Sequence, residues 1–507
     1  MLHSSFRWMV ASLVVAASGL CALAQDVSFS VTIDPGVRDG AYTGRVYVAL
    51  APAEGYGEPR QAMHAWVDPP PVYSVDVAGL MPGEAVVLDA GSLSHPGPMT
   101  ELEAGTYRVQ AIARVSPDSP KPGLGAGDLI SEVVSVELDP ASGWDIGLRL
   151  TEAVEEEVLE DSARVRWVEM VSPRLSEFHG REVTMKAGVL LPPGFDQRTD
   201  ETFPVVYMVT GFGGDHTFVR SLEQSGLTAS ATGLEAIWVV PDASCFRGHS
   251  VFANSANNGP WGDALVYDLI PMIEEEYRGA GAEHRYTTGV SSGGWSSLWL
   301  QLAYPEEFSG CWSHVPDPVE LHAFQTVDVY GGDNMYEYPD GSERPIARRN
   351  GEVMITARDF VARETVLGPG GQIHSFEAVW SPRLADGTPR LLFDRETGEI
   401  DPVTAESWKA YDIAYKVRRE WDRIGGSLGG KVHVYAGSED NFYLELAIPA
   451  LAEAFEGVGS DAVVEIVEGM QHTLHRDGHR DMLATIAERW SGEQAEPEPM
   501  PEPTDEP

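Results

Sequence analysis

Residues 286–299 read "YTTGVSSGGWSSLW": a short apolar run reaches Gly289-Val290-Ser291-Ser292-Gly293 and passes into a helix-forming stretch. Whether Ser291 is a nucleophile or a small residue in a turn depends on what enters and what leaves that turn. "RYTTGV" reads as a strand and "GWSSLWLQLAYPEEF" as a helix, so the serine stands at a strand-to-helix turn. Such a turn strains the backbone so that the hydroxyl projects, and glycines two residues to either side let strand and helix pass without a Cβ clash. In a chain with 52 glycines the pattern alone is weak, and a second one occurs at 425–429. That one follows the helical stretch "YKVRREWDRI" and precedes a strand, which makes it a helix stop with a left-handed glycine.

Working outward, "RWVEMVSP", "REVTMKAGVLLPPGF", "FPVVYMVTG", "AIWVVPDAS", "CWSHV", "KVHVYAG" and "VVEIVEG" are apolar strands, with helical stretches interleaved from about residue 164. Near-continuous apolar strands alternating with helices predict a parallel sheet covered on both faces, with chemistry in the loops beyond the carboxyl ends of the strands. One interleaved stretch, "DALVYDLIPMIEEEYR", carries Leu265, Leu269 and Ile273 on one stripe, and Pro271 should kink it. A serine nucleophile needs a base and an acid to orient that base, in the chain order Ser, Asp or Glu, His. The turn "AGSEDNFYL" after the next-to-last strand offers Asp440, with Glu439 as the alternative, and "EGMQHTLH" after the last strand offers His472. His475 and His479 are expected on the final helix; His-x-x-His-x-x-x-His spacing could line up metal ligands, but no carboxylate partners can be located, so no metal or other cofactor is assigned. The oxyanion would be held by the N–H of Ser292 and by Phe212 or Gly213 in the turn "TGFGGDH".

The rest of the chain bounds the answer. At 507 residues, 43% hydrophobic and with 13 tryptophans, it should fold as two or three globular units. A net charge of −43, from 78 acidic against 35 basic residues, repels phosphate backbones and argues against nucleic acid as a partner. Residues 1–24 have the Arg7, apolar run and Ala22-Leu23-Ala24 ending of a signal peptide, so a secreted or periplasmic location is expected, with no membrane insertion after cleavage. Cys245 and Cys311 fall at opposite ends of the sheet and should be free, buried thiols. Residues 25–150 alternate as short strands broken by Pro and Gly turns, which predicts an all-β, immunoglobulin-like sandwich. Acidic 151–163 reads as a linker and 164–490 as the α/β unit. Within it, 317–410 is an insertion with a hairpin at "PRLLFDRETGEID", lying over the carboxyl edge of the sheet as a lid or substrate wall. The acidic, Pro-rich tail 491–507 should be disordered.

The stretches "LLPPGF", "FPVVYMVTGFGGD", "VVPDAS", "GHSVFANSANNGPW", "DLIPMIEEEYR" and "GVSSGGWSSLWLQLAYPEEFSG" resemble the esterase D, feruloyl esterase and enterochelin esterase-like branch of the α/β-hydrolases. The resemblance covers roughly 164–316 and 411–490. It implies an α/β-hydrolase with a mostly parallel sheet, and Ser291, Asp440 and His472 as nucleophile, acid and base. Thr210 departs from the histidine that many members place before the oxyanion glycine, and the insertion is larger than usual. The expected activity is a serine carboxylic-ester hydrolase on a small-molecule or polysaccharide ester such as acylated carbohydrate, with Trp261 and Trp295 as candidate substrate-binding residues. Acyl transfer by the same triad, and a non-catalytic carbohydrate- or partner-binding protein on this scaffold, are the alternatives.

Overall fold

The structure, a computed structural model, describes residues 26–494 apart from Tyr56 and Ser230. The expected signal peptide, residues 1–24, and tail residues 495–507 lie outside the described residues; residues 491–494, expected as the start of the tail, continue the last helix.

Nine strands come first: β1 (Val27–Ile33), β2 (Tyr42–Pro52), β3 (Val72–Leu80), β4 (Ala85–Leu88), β5 (Leu93–His95), β6 (Gly105–Ala113), β7 (Leu129–Ser131), β8 (Val134–Leu138) and β9 (Trp144–Ala153). Hydrogen bonding joins them in the order β4-β1-β9-β7-β6-β2-β3-β5, with β8 also on β6. Their side chains alternate, as in β1, where every second residue is buried. Phe29 of β1 meets Tyr73 of β3 with ring centroids 6.4 Å apart although the two strands are not hydrogen-bonded neighbours, so the path folds back over a shared core. β9 runs three residues into the stretch read as a linker.

The second unit is an eight-stranded sheet: β10 (Val165–Val171), β11 (Thr184–Leu190), β12 (Val205–Val209), β13 (Ile237–Pro241), β14 (Arg285–Val290), β15 (Gly310–His314), β16 (Val432–Gly437) and β17 (Val463–Val467). Its order is β10-β11-β13-β12-β14-β15-β16-β17. The pairs made by β11 are antiparallel and the rest are parallel. Every residue of β12, β13 and β15 is buried, as strands covered on both faces require. This is the order and direction of an α/β-hydrolase sheet. The proline-containing helix runs as an α-turn at Trp261–Ala264, a π-turn over Leu265–Leu269 and a second α segment from Ile270, so the missing N–H of Pro271 is absorbed by a change of helical pitch. Among the described residues no helix is long and apolar enough to cross a membrane. Cys245 and Cys311 are free and buried.

The helix after β14, α1 (Ser292–Ala303), and the insertion share one core. Trp295 stacks on Trp299 at 5.0 Å and meets Trp380, which packs on Phe376 and Trp408. The insertion is therefore a packed layer over α1 rather than a flap. Pro345–Arg349 pairs with Glu352–Thr356 as one hairpin, and the expected "PRLLFDRETGEID" hairpin forms in short form: the antiparallel bridge Phe393 to Ile400 is flanked by Asp401 N–H on the Leu392 carbonyl (2.8 Å) and Asp394 N–H on the Glu399 carbonyl (2.9 Å). From the insertion, α2 (Ala357–Leu367) reaches the first unit. Its last carbonyls, which have no partner within the helix, accept from Arg45 Nη1 (Thr365, 2.6 Å), Ser74 Oγ (Val366, 2.8 Å) and Tyr47 Oη (Leu367, 2.8 Å). The 425–429 motif does end a helix, but through a tight turn at Gly425–Ser427, and the left-handed glycine is Gly430 (φ 66°) instead.

Candidate active site

β14 delivers Ser291 to a backbone conformation of φ 62° and ψ −127°, outside the regions a side-chain-bearing residue prefers and costing about 1–3 kcal/mol. Its surroundings enforce that conformation. The Ser291 N–H donates to the His314 carbonyl (3.1 Å), and the Ser291 carbonyl accepts from Trp295 (3.0 Å) and Asp317 (3.3 Å). A Cβ on Gly289 would lie 2.4 Å from the Gly293 carbonyl, and one on Gly293 would lie 2.0 Å from the Val209 carbonyl oxygen. Only glycine fits either position, so the sequence motif is a packing requirement of this crossing.

Asp440 and His472 come from the loops after β16 and β17. His472 Nδ1 donates to Asp440 Oδ2 at 2.7 Å. Asp440 is fully buried, and its other oxygen accepts the Phe442 N–H at 2.8 Å, so the carboxylate is held from both sides. With Nδ1 committed, Nε2 is the nitrogen free to exchange a proton with substrate. The insertion hairpin braces the acid loop: Arg348 Nε donates to the Asp440 carbonyl (2.9 Å) and its Nη2 pairs with Glu445 (2.6 Å). The alternative acid, Glu439, is exposed. Of the competing histidines, His475 precedes the final helix rather than lying on it, while His479 is buried on that helix against the Leu227 carbonyl (2.7 Å). Among the described residues no group of three or more His, Cys, Asp or Glu could hold a metal ion.

The turn after β12, the candidate oxyanion loop, lies beside the serine. A Cβ on Gly211 would sit 3.3 Å from Ser291 Cβ and 3.9 Å from its Oγ. Ser292 is the first residue of α1, so its N–H has no carbonyl partner within the helix. Phe212 is half-buried, and Gly213 (φ 83°) has its carbonyl engaged by Lys121 Nζ at 2.9 Å. His249 pins this loop. Its Nδ1 accepts the Val251 N–H (3.0 Å), which makes Nε2 the protonated nitrogen and the donor to the Thr210 carbonyl (3.1 Å). Burial pushes the His249 pKa down to about 4, so the ring stays neutral.

Sequence reasoning missed Asp317, two residues beyond "CWSHV". Its carboxylate is buried and accepts Ser292 Oγ–H at 2.5 Å, and Ser291, His472 and Asp440 all act on it electrostatically. Burial raises its pKa to about 6. The "VPDP" turn gave no signal because it belongs to neither the motif nor the triad order. Of the two tryptophans expected at substrate, Trp295 is fully buried in the core shared with the insertion and is not a substrate contact; its spacing with Trp299 reflects core packing. Trp261 borders a cavity of about 890 Å³ between the two units, also lined by Trp66, Lys121, Phe212, Gly213 and Phe360. That cavity reaches the oxyanion loop, but neither Ser291 nor His472 lines it.

Residues 179–475 match the family model described as "Putative esterase". No curated protein matches the chain. Among solved structures, it is similar to a ferulic acid esterase at 15% identity, over 64% of this chain and 99% of that one, with a TM-score of 0.41. An S-formylglutathione hydrolase from Agrobacterium tumefaciens matches at 16% identity over 66% and 98%, TM-score 0.41. A ferulic acid esterase from Anaeromyces mucronatus matches at 15% identity over 65% and 93%, TM-score 0.31. The family match spans more than half of the chain and takes in the elbow, the oxyanion loop and the loops after β16 and β17: this protein belongs to that esterase family and is a serine ester hydrolase.

Proposed function

We propose that the protein is an exported serine carboxylic-ester hydrolase that works through an acyl-enzyme, with Ser291 as nucleophile, His472 as base, Asp440 as orienting acid, and Phe212, Gly213 and Ser292 around the oxyanion. The observation that carries this reading is the 2.7 Å bond from His472 Nδ1 to the buried Asp440, set beyond the same sheet edge as the strained Ser291.

In this reading Ser291 Oγ attacks the ester carbonyl while His472 Nε2 takes its proton, and Asp440 stabilises the imidazolium that forms. The negative oxygen is held by backbone N–H groups, the bond to the alcohol breaks, and His472 returns the proton to the departing alkoxide. Water, deprotonated by the same base, then attacks the acyl carbonyl, the bond to Ser291 Oγ breaks to release the acid, and His472 returns the proton to Ser291 Oγ. The signal-like leader and an N-terminal unit read as an immunoglobulin-like sandwich favour an acylated carbohydrate or similar ester outside the cytoplasm. The test is the intact mass after treatment with a fluorophosphonate, beside Ser291→Ala. One adduct on wild type alone is expected; no adduct on wild type, or one on both, refutes the assignment. Running the hydrolysis with added acceptor alcohols separates hydrolysis from acyl transfer.

A further inference from the structure

Trp66 belongs to the N-terminal unit and lies outside the residues matched to the esterase family, yet its indole packs against the loops that bear Phe212 and Phe442. It meets Phe212 of the oxyanion loop edge-on (6.3 Å), lies tilted on Phe360 of α2 (5.3 Å) and meets Phe442 edge-on (5.8 Å). Phe442 in turn stands edge-on against the ring of His472 at 4.8 Å. One side chain thus touches the oxyanion loop, the acid loop and the insertion.

The loop that carries it is anchored. Arg363 Nη2 donates to the Met63 carbonyl (2.8 Å), and His64 Nε2 bonds the Pro122 carbonyl (3.0 Å). Lys121, from the neighbouring loop of the same unit, holds Gly213. Despite these neighbours Trp66 remains 36% exposed, and it lines the 890 Å³ cavity with Phe212 and Phe360. A tryptophan serving only to join two units would be expected to bury that face.

We infer that Trp66 determines specificity at the ester site: the N-terminal unit supplies the wall for the alcohol part of the substrate and selects alcohols that present a flat ring. The inference rests on the ester-hydrolase reading. It is the base that hands its proton to the leaving alkoxide, so the group packed against His472 borders the alcohol: that group is Phe442, and Trp66 extends the same aromatic wall from behind it. A rigid, half-wet aromatic face suits the C–H face of a sugar ring or the face of a phenol, and offers nothing to an anionic group.

The test compares wild type, Trp66→Ala and Trp66→Phe on three esters of one acid: ethyl acetate, phenyl acetate and an acetylated methyl xyloside. All three pass through the same acetyl-enzyme, so kcat/KM reports on the alcohol. Leaving-group reactivity differs among the esters, so each is compared across proteins. Trp66→Ala should lower kcat/KM on at least one ring alcohol about tenfold more than on ethyl acetate, and Trp66→Phe should recover most of it. Loss on the xyloside alone identifies a sugar ring, and loss on phenyl acetate alone an aromatic one. Equal loss on all three esters would make Trp66 a prop for the oxyanion loop and overturn the inference, as would no loss on any. Wild type that takes up fluorophosphonate at Ser291 while the variants show either of those patterns leaves the ester reading standing; wild type that neither labels nor hydrolyses overturns both.

Discussion

Asp317→Asn tests the electrostatics of the elbow. The carboxyl is fully buried, and burial lifts its pKa from 3.8 to about 6, against the opposing pull of its hydroxyl partners and His472. A raised carboxyl pKa means that the folded protein holds the proton more tightly than the unfolded chain does. Its contribution is therefore undiminished below pH 3.8 and is lost as the pH rises through 6. With a shift of that size, ionisation of Asp317 costs the fold about 2 kcal/mol at pH 5 and about 3 kcal/mol at pH 8. Asparagine keeps the shape and an oxygen that can accept from Ser292 Oγ, and it carries no charge. Measured against wild type, Asp317→Asn should gain about 1 kcal/mol between pH 5 and pH 8, a widening of about 2 °C in the Tm difference. Titrating groups that do not act on Asp317, including Glu364, whose pKa burial raises to about 7, contribute equally to both proteins and cancel. Thermal unfolding of the pair at half-unit steps is the assay. A Tm difference that is flat across this window, or that narrows, would refute the assigned titration and with it the picture of Asp317 as a charge held at a cost beside Ser291.

Replacing Ser291 by alanine should lower kcat about a millionfold, and Asp440→Asn about ten-thousandfold, because an amide facing Nδ1 favours the wrong tautomer of His472; steady-state rates decide, and near-wild-type activity in either refutes the triad. Gly293→Ala would drive a methyl to 2.0 Å from the Val209 carbonyl oxygen and should cost more than about 3 kcal/mol, so an unchanged urea midpoint would refute the crossing geometry. Burial pushes the thiols of Cys245 and Cys311 up to about 12, so neither should react with a disulfide reagent at pH 8 until the chain is unfolded; labelling of the native protein, followed by mass spectrometry, would refute their burial.

What could be read from the sequence, and what could not, divides by distance along the chain. The eight strands, the elbow and the loops bearing Asp440 and His472 were legible because each is a local pattern: an apolar run, a glycine turn, a polar residue at a fixed offset from the strand end. Gly289 and Gly293 show why such a pattern survives, since every non-glycine residue at either position meets backbone within 2.4 Å. The contacts that finish the site have no local signature. Asp317 is a proline-flanked acid in a turn until the fold brings it onto Ser292, 25 residues away in sequence. Arg348 is one arginine among many until it reaches the Asp440 carbonyl across 92 residues. Trp295 erred the other way: four-residue spacing with Trp299 fits a pocket or a core equally well, and only the insertion packed over α1 decides for the core. Trp66 is the extreme case, an exposed aromatic in a turn-rich stretch, joined to His472 through Phe442 across some 400 residues. A family match that begins at residue 179 cannot carry that contact. If the N-terminal unit shapes the alcohol side of the site, the family supplies the chemistry of this enzyme and the added unit supplies its choice of substrate.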